Sequence, residues 1–396
     1  MSLSDSSGPG RFWTGRRALV AGSAALIAVA GTTVALTAGH PAARHAAATG
    51  SSTARLAAST CTGPAGAAYV ALAGYQSFDA INTANCTYIQ NYNVGDPQVP
   101  GDPGDYNYAS SVQGIAIHGA TLYFADTGND MVSVVNTSTL DPKNYNPAET
   151  DIHVGINPDD LAISPDGSQL WVADTGPQTG PGSPTDIKVV STSTDAVTAT
   201  LRLPSAPAEI EFSPSGTAAY VTTAAGLWIF NTANDRVTGV IHGLGNPHGI
   251  AVSPDGSTVY VTNTAQGLVE VISAATGKVT GTIPVGQLPW GLALSANGST
   301  LYVANPDSNT VSVVSTKTGK VTSTISLAGG PDVLALTPDG SQLWVTGLTS
   351  GILTVLNAAN GSVVGTVNLG GDGANSGDGM DPAGIVLTAT PTPGST

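Results

Sequence analysis

Asn246 to Asn263 reads NPHGIAVSPDGSTVYVTN: an apolar run from Ile250 to Val252, a tight-turn signal at Ser253-Pro254-Asp255-Gly256, and a second apolar run from Val259 to Val261. Two short β-forming runs around such a turn describe a hairpin. Its most recognisable part is an aromatic residue followed by an apolar one at the start of the second run. That mark occurs seven times, at Tyr69-Val70, Tyr123-Phe124, Trp171-Val172, Tyr220-Val221, Tyr260-Val261, Tyr302-Val303 and Trp344-Val345. The copies are 54, 48, 49, 40, 42 and 42 residues apart, close to the ~40–50 residues of a four-stranded propeller blade.

Six of the marks follow a first strand, centred on Ala116, Ala162, Glu211, Ala251, Ala293 or Ala335. The copy at Tyr69 has none. Its missing strand stands at the other end of the chain, where Asp381 to Thr388 matches Asn246 to Ser253 position by position. The expectation is an all-β, seven-bladed propeller of four-stranded antiparallel blades, its first blade closed by the C-terminal strand, since an unpaired strand there would leave an exposed edge. Third strands such as Val269 to Ile272 and fourth strands such as Val279 to Ile283, joined at Thr276-Gly277-Lys278, complete each repeat. Inner strands are apolar on both faces, as sheets sandwiched between two neighbours require.

The 396 residues divide unevenly in charge. From Cys61 onward there are 7 basic against 26 acidic residues, a net of −19, which repels phosphate backbones and excludes nucleic acid as a partner class. Before it, Arg11, Arg16 and Arg17 precede an uncharged run from Ala18 to Ala38, the order of a signal peptide or single membrane anchor. The division expected is a signal or anchor at 1–38, an Ala/Ser/Thr-rich spacer at 39–60, the propeller at 61–390 and a tail at 391–396. The body is expected outside the cell as a monomer, touching the membrane only through an uncleaved N-terminal segment. Arg16-Arg17 followed by Leu19 looks like a twin-arginine signal without its usual Lys, so the route stays open. Cys61 and Cys86 form no CxxC and have no clustered His, which argues against a metal and for one disulfide tying the entering chain to the first blade.

Tyr260-Val261-Thr262-Asn263, with Tyr302-Val303-Ala304-Asn305 and the Ser-Pro-Asp-Gly turns at Ser164 to Gly167 and Ser253 to Gly256, resembles the YVTN-type β-propeller repeat family. The resemblance covers roughly residues 68 to 388. It implies the ring architecture. Related propellers include surface-exposed binding proteins, lactone-opening enzymes, a streptogramin lyase and amine dehydrogenase subunits, so it does not select an activity.

In propellers the loops entering first strands and leaving second strands surround the mouth of the central channel, the default ligand site. The residues two before each first apolar position form a ring in order: Gln113, Asp159, Ala208, His248, Trp290, Asp332 and Ala383. His248 and Asp332 flank Trp290. Glu211, with Glu209 two residues earlier, breaks the alanine pattern and must reach channel water, a cation or a hydrogen-bond donor. Candidate ligand residues are therefore Gln113, Asp159, Glu209, Glu211, His248, Trp290 and Asp332; the competing reading is ordinary loop residues, with Trp290 packed and His248 bonded to backbone.

Acidic loops carry Asp126, Asn129 and Asp130, Asp174, Asp307, and Asp372, Asp378 and Asp381, which suit Ca²⁺ or Mg²⁺ rather than zinc. None has the spacing of a dedicated calcium loop, and no motif demands a cofactor. Two loops are long: Thr175 to Thr185 on the mouth face, placed to lid the channel, and Asn136 to Thr150 on the opposite rim. His118 replaces a turn serine and His153 and His242 fall in or beside fourth strands, leaving His248 as the histidine of the mouth.

No G-x-S-x-G elbow, H-E-x-x-H, Walker loop or G-x-G-x-x-G is present. Together these readings point to an extracellular binding or interaction module for a ligand or cell-envelope component. The rival is a divalent-cation-dependent lactonase- or lyase-like enzyme using Glu211 or His248.

Overall fold

Four strands recur seven times. The computed structural model describes residues 63, 65–73, 77–94, 112–144, 146–147, 149–176, 185–369 and 381–389, all within one compact unit, residues 55–396. Blade 1 takes β1 (Ala67–Ala73), β2 (Ser77–Asn82) and β3 (Thr87–Asn93), and blade 2 takes β4 (Val112–His118), β5 (Thr121–Asp126), β6 (Met131–Asn136) and β7 (Glu149–His153). Blade 3 is β8 (Pro158–Ile163), β9 (Gln169–Asp174), β10 (Thr185–Ser191) and β11 (Ala196–Leu203). Blade 4 is β12 (Pro207–Phe212), β13 (Ala218–Thr223), β14 (Gly226–Asn231) and β15 (Arg236–Ile241). Blade 5 is β16 (Pro247–Val252), β17 (Thr258–Asn263), β18 (Leu268–Ser273) and β19 (Lys278–Pro284). Blade 6 is β20 (Leu292–Leu294), β21 (Thr300–Asn305), β22 (Thr310–Ser315) and β23 (Lys320–Ser326). Blade 7 is β24 (Pro331–Leu336), β25 (Gln342–Gly347), β26 (Ile352–Asn357) and β27 (Val363–Asn368).

The last strand, β28 (Asp381–Thr388), pairs antiparallel with β1, Tyr69 opposite Val386 and Ala67 opposite Thr388, so the C-terminus supplies the inner strand of blade 1 as expected. The seven inner strands pack successively on one another, with β28 seated between β24 and β4, and the ring closes. The export segment, spacer, tail and Cys61 lie outside the described residues. Among the described residues no helix is long and apolar enough to cross a membrane.

The core lies between blades. Ala162, Trp171 and Ile187 of blade 3 pack with Ile210, Phe212 and Phe230 of blade 4, and Trp171 meets Phe212 edge-on at 5.5 Å. That is why neither face of an inner sheet alternates with polar residues. The first turn of a blade is held by its own side chains: the Asp255 carboxylate accepts the Ser257 N–H (3.0 Å) and hydroxyl (2.8 Å), and Asp166 and Asp339 do the same in their turns.

Inner strands β8, β12, β16 and β24 each begin with a proline, which has no N–H to donate, and each then slips register against its second strand. The threonine of the repeated Tyr-Val-Thr fills that slip. Thr262 Oγ1 accepts the Gly249 N–H (2.7 Å) and donates to the Trp290 carbonyl in the next blade (3.0 Å). Thr222 likewise accepts the Glu209 N–H (3.2 Å) and donates to the His248 carbonyl (2.7 Å). One hydroxyl thus repairs its own blade and fastens the next.

The outer strands leave edges that must not recruit another chain. In β3, β11, β15, β19, β23 and β27 a bulge breaks the edge, and in four of these the bulged residue is Thr198, Thr238, Thr280 or Thr322, whose hydroxyl bonds the facing third-strand carbonyl. Strand β7 pairs without a bulge and instead carries Glu149 and Asp151.

Candidate functional site

The residue just before the first apolar position of an inner strand lies against the next blade. In blades 2, 5 and 6 it is Gly114, Gly249 or Gly291, and a side chain there would collide with the carbonyl oxygen of Asp159, Trp290 or Asp332. In blades 3 and 4 it is a carboxylate. Asp160 accepts the Ile210 N–H (2.8 Å), and Glu209 accepts the Ile250 N–H (3.2 Å). The backbone of the predicted ring is therefore clasped by the preceding blade, and its side chains are left to differ.

They differ most between blades 4 and 6. The His248 ring lies against the Trp290 indole with centroids 3.7 Å apart and planes tilted by 31°, and His248 Nδ1 is 3.7 Å from Glu209 Oε2. Glu209 thus spans two tasks, one oxygen on the Ile250 backbone and the other toward the histidine. Trp290 is 8% exposed, so its bulk braces the imidazole more than it meets solvent. Asp332 is buried in the adjoining blade, while Gln113 and Asp159 are half-buried on the far side of the ring.

Glu211 pairs across β12–β13 with Tyr220 and keeps part of its surface open. Desolvation by the surrounding protein, reinforced by the Asp160 charge, pushes its carboxyl up to about 8. It therefore carries a proton at neutral pH. The inner strands hold Asp159, Asp160, Glu209 and Asp332 beside the protonated Glu211 and no lysine or arginine, which makes this rim electronegative.

The described acidic loops do not converge. Among the described residues no group of three or more His, Cys, Asp or Glu is placed to hold a metal ion, so the described donor set does not fit a bound Ca²⁺ or Mg²⁺. Asp126 and Asp174 are instead buried at the ends of β5 and β9, where other blades have Asn263 or Asn305 bridging to the third strand. Asp130 accepts the Asn157 N–H (3.0 Å), and Asp307 is exposed. Asp372, Asp378 and residues 177–184 of the long mouth loop lie outside the described residues. His118 packs on Gly167 of the next blade, and His242 Nδ1 bonds the Ala225 carbonyl (3.0 Å).

Two features escaped the sequence reading. Asp160 was readable, since it occupies the repeat position of Glu209 and of Gly249. The other is a buried group made by Asp174, Asp186 and Lys188, which the long loop separates in sequence.

A family model described as "SMP-30/Gluconolactonase/LRE-like region" matches residues 224–349, less than half of the chain but including His248, Trp290 and Asp332. No curated protein matches. A functionally unknown protein from Desulfotomaculum acetoxidans DSM 771 is similar in structure, with a TM-score of 0.65, 16% identity, and coverage of 82% of this chain and 99% of that one. Hydrazine synthase of Kuenenia stuttgartiensis gives 0.57 and 18%, covering 82% and 100%. At such identities the likeness carries the fold alone. The chain is a seven-bladed β-propeller in which residues 224–349 resemble the SMP-30/gluconolactonase/LRE-like region.

Proposed function

We propose that this propeller is an extracellular binding module that takes a small ligand at the mouth of its central channel. The observation that carries the reading is the His248–Trp290 stack with Glu209 beside it, a polar and aromatic surface raised from an otherwise repeated backbone. Glu211 supplies a protonated carboxyl to the same rim, able to donate a hydrogen bond. The N-terminal segment supports export, and a Cys61–Cys86 disulfide belongs to the same picture: mass spectrometry with and without reductant should differ by two hydrogens. The partner is a small molecule or a cell-envelope component, met by a monomer.

The test is a thermal-shift screen of small polar ligands against the wild type and His248→Ala. Compounds that raise the melting temperature of the wild type should lose most of that shift in the variant. A specific ligand whose shift is unchanged in His248→Ala places the site elsewhere.

The family match at residues 224–349 favours a second reading, a lactone-opening enzyme in which Glu211 acts as general acid. Because the described donors do not fit a cation, no step is routed through one. Hydrolysis of glucono-1,5-lactone above background, lost in Glu211→Gln, would replace the binding reading with this one.

A further inference from the structure

At the end of β9 and the start of β10, Asp174 and Asp186 stand directly opposite one another, 1% and 5% exposed. Lys188, two residues along β10, places Nζ 3.0 Å from Asp186 Oδ1 and 3.7 Å from Asp174 Oδ2, and its side chain is 15% exposed. Both Asp174 oxygens and Asp186 Oδ1 are sealed from solvent without a hydrogen-bond donor at bonding geometry. Gly155 lies against the Asp174 carboxylate with no room for a side chain, which closes the pocket from the blade 2 side. In the equivalent node of blade 6 Asn305 meets Ser312, and in blade 5 Asn263 meets Glu270, whereas here an amine and two carboxyls share the place.

We propose that Lys188 and Asp186 condense to a side-chain amide, an intramolecular isopeptide bond, with Asp174 as the catalytic proton carrier. The ammonium of Lys188 gives one proton to the Asp186 carboxylate, leaving a neutral amine and a carboxylic acid. The Nζ lone pair then attacks Asp186 Cγ. Asp174, as a carboxylic acid, steadies the developing oxyanion, takes the second proton from nitrogen and returns one to the departing hydroxyl. Water leaves, the C–O bond is exchanged for C–N, and one positive and one negative charge vanish together.

Three circumstances favour the step. Lys188 Nζ is held 3.0 Å from the Asp186 carboxylate, which replaces a bimolecular encounter by an intramolecular one. The pair is a buried ion pair whose desolvation is costly, and the amide removes both charges. Burial, and then the Asp186 carboxyl facing it, hold the Asp174 carboxyl well above the usual range, so it keeps a proton at neutral pH although Lys188 pulls the other way. The bond would fix Lys188 to its own strand at the point where the chain returns from the long mouth loop.

The experiment is the intact mass of the full chain under reducing, denaturing conditions, followed by tryptic mapping. The expected result is a body lighter than its sequence by one water, with trypsin failing to cut after Lys188 and fragmentation placing the loss within Asp186 to Lys188. Lys188→Arg, checked for folding by circular dichroism, should recover the full mass. Asp174→Asn should leave the wild-type chain's cross-link unformed or greatly slowed. A wild-type chain at full mass overturns the proposal, as does a lost water that maps to an Asp-Gly turn such as Asp166-Gly167. A cross-link that forms at the same rate in Asp174→Asn overturns the role given to Asp174.

Discussion

Thr262 shows what a single side chain of the repeat does. Its buried hydroxyl accepts from its own blade and donates to the next, so Thr262→Val leaves the Gly249 N–H and the Trp290 carbonyl short of a partner with almost no change in volume. Denaturant melts should record a loss of about 1–3 kcal/mol, the usual cost of stranding buried polar groups. Glycine gives a sharper contrast. A methyl group at Gly249 meets the Trp290 carbonyl, whereas one at Gly281 meets nothing within 4 Å. Gly249→Ala should therefore destabilise by about 1–3 kcal/mol through overpacking, and Gly281→Ala should be neutral or stabilising by up to ~1 kcal/mol. Equal effects at the two positions would show that close approach between inner strands does not set the ring. The glycine pattern was visible in the sequence, but its meaning was not, because the atom it avoids belongs to another blade.

At the level of strands, two devices guard the outer edges, a bulge in six blades and charge in blade 2. Replacing Glu149 and Asp151 of β7 by valine removes the charge from an unbulged edge, and light scattering should then show self-association that the wild type lacks. Valine at Lys278 and Thr282, beside the bulge of β19, should be silent. Strand β28 tests closure. Removing residues 381–396 strips the inner strand from blade 1, takes Ile385 out of the blade 7–blade 1 core and exposes its partners Val70 and Trp344, so the melting temperature should fall sharply. This closure was legible because Asp381 to Thr388 matches Asn246 to Ser253 position by position, with Pro, Gly and Ile kept at the same places. The bulges were not, since an extra residue such as Thr280 leaves the apolar pattern of its strand almost unchanged.

Across the whole molecule, buried carboxyls oppose turn carboxyls in their response to pH. Glu211 is pushed up to about 8 by desolvation and then Asp160, and burial also raises Asp126 and Asp174. Their protonated forms are favoured by folding, so their contribution is complete below the ordinary carboxyl range and is lost as pH rises, toward 8 for Glu211 and Asp174. Hydrogen bonds from Ser164 and Ser168, and from Ser253 and Ser257, hold Asp166 and Asp255 down to about 2; that contribution is present above the ordinary range and is lost as pH falls through it. Melting temperatures should accordingly be higher near pH 5 than near pH 9, and Glu211→Gln should flatten the alkaline side. The ring was legible because it follows from repeat position, and the same alignment supplies the residues proposed for its mouth. The division of labour at the mouth was not: Glu209 reaches a backbone N–H in the next blade, and His248 finds Trp290 across a blade boundary. What the repeats share builds the ring, and the proposed function lies where His248, Trp290 and Glu211 depart from it. The most direct test is a thermal-shift comparison of the wild type with a His248→Ala, Trp290→Ala double variant over one panel of lactones, sugar acids and cell-wall fragments. Ligands that stabilise the wild type and no longer stabilise a folded double variant are the result predicted here; ligands that stabilise both equally would contradict it.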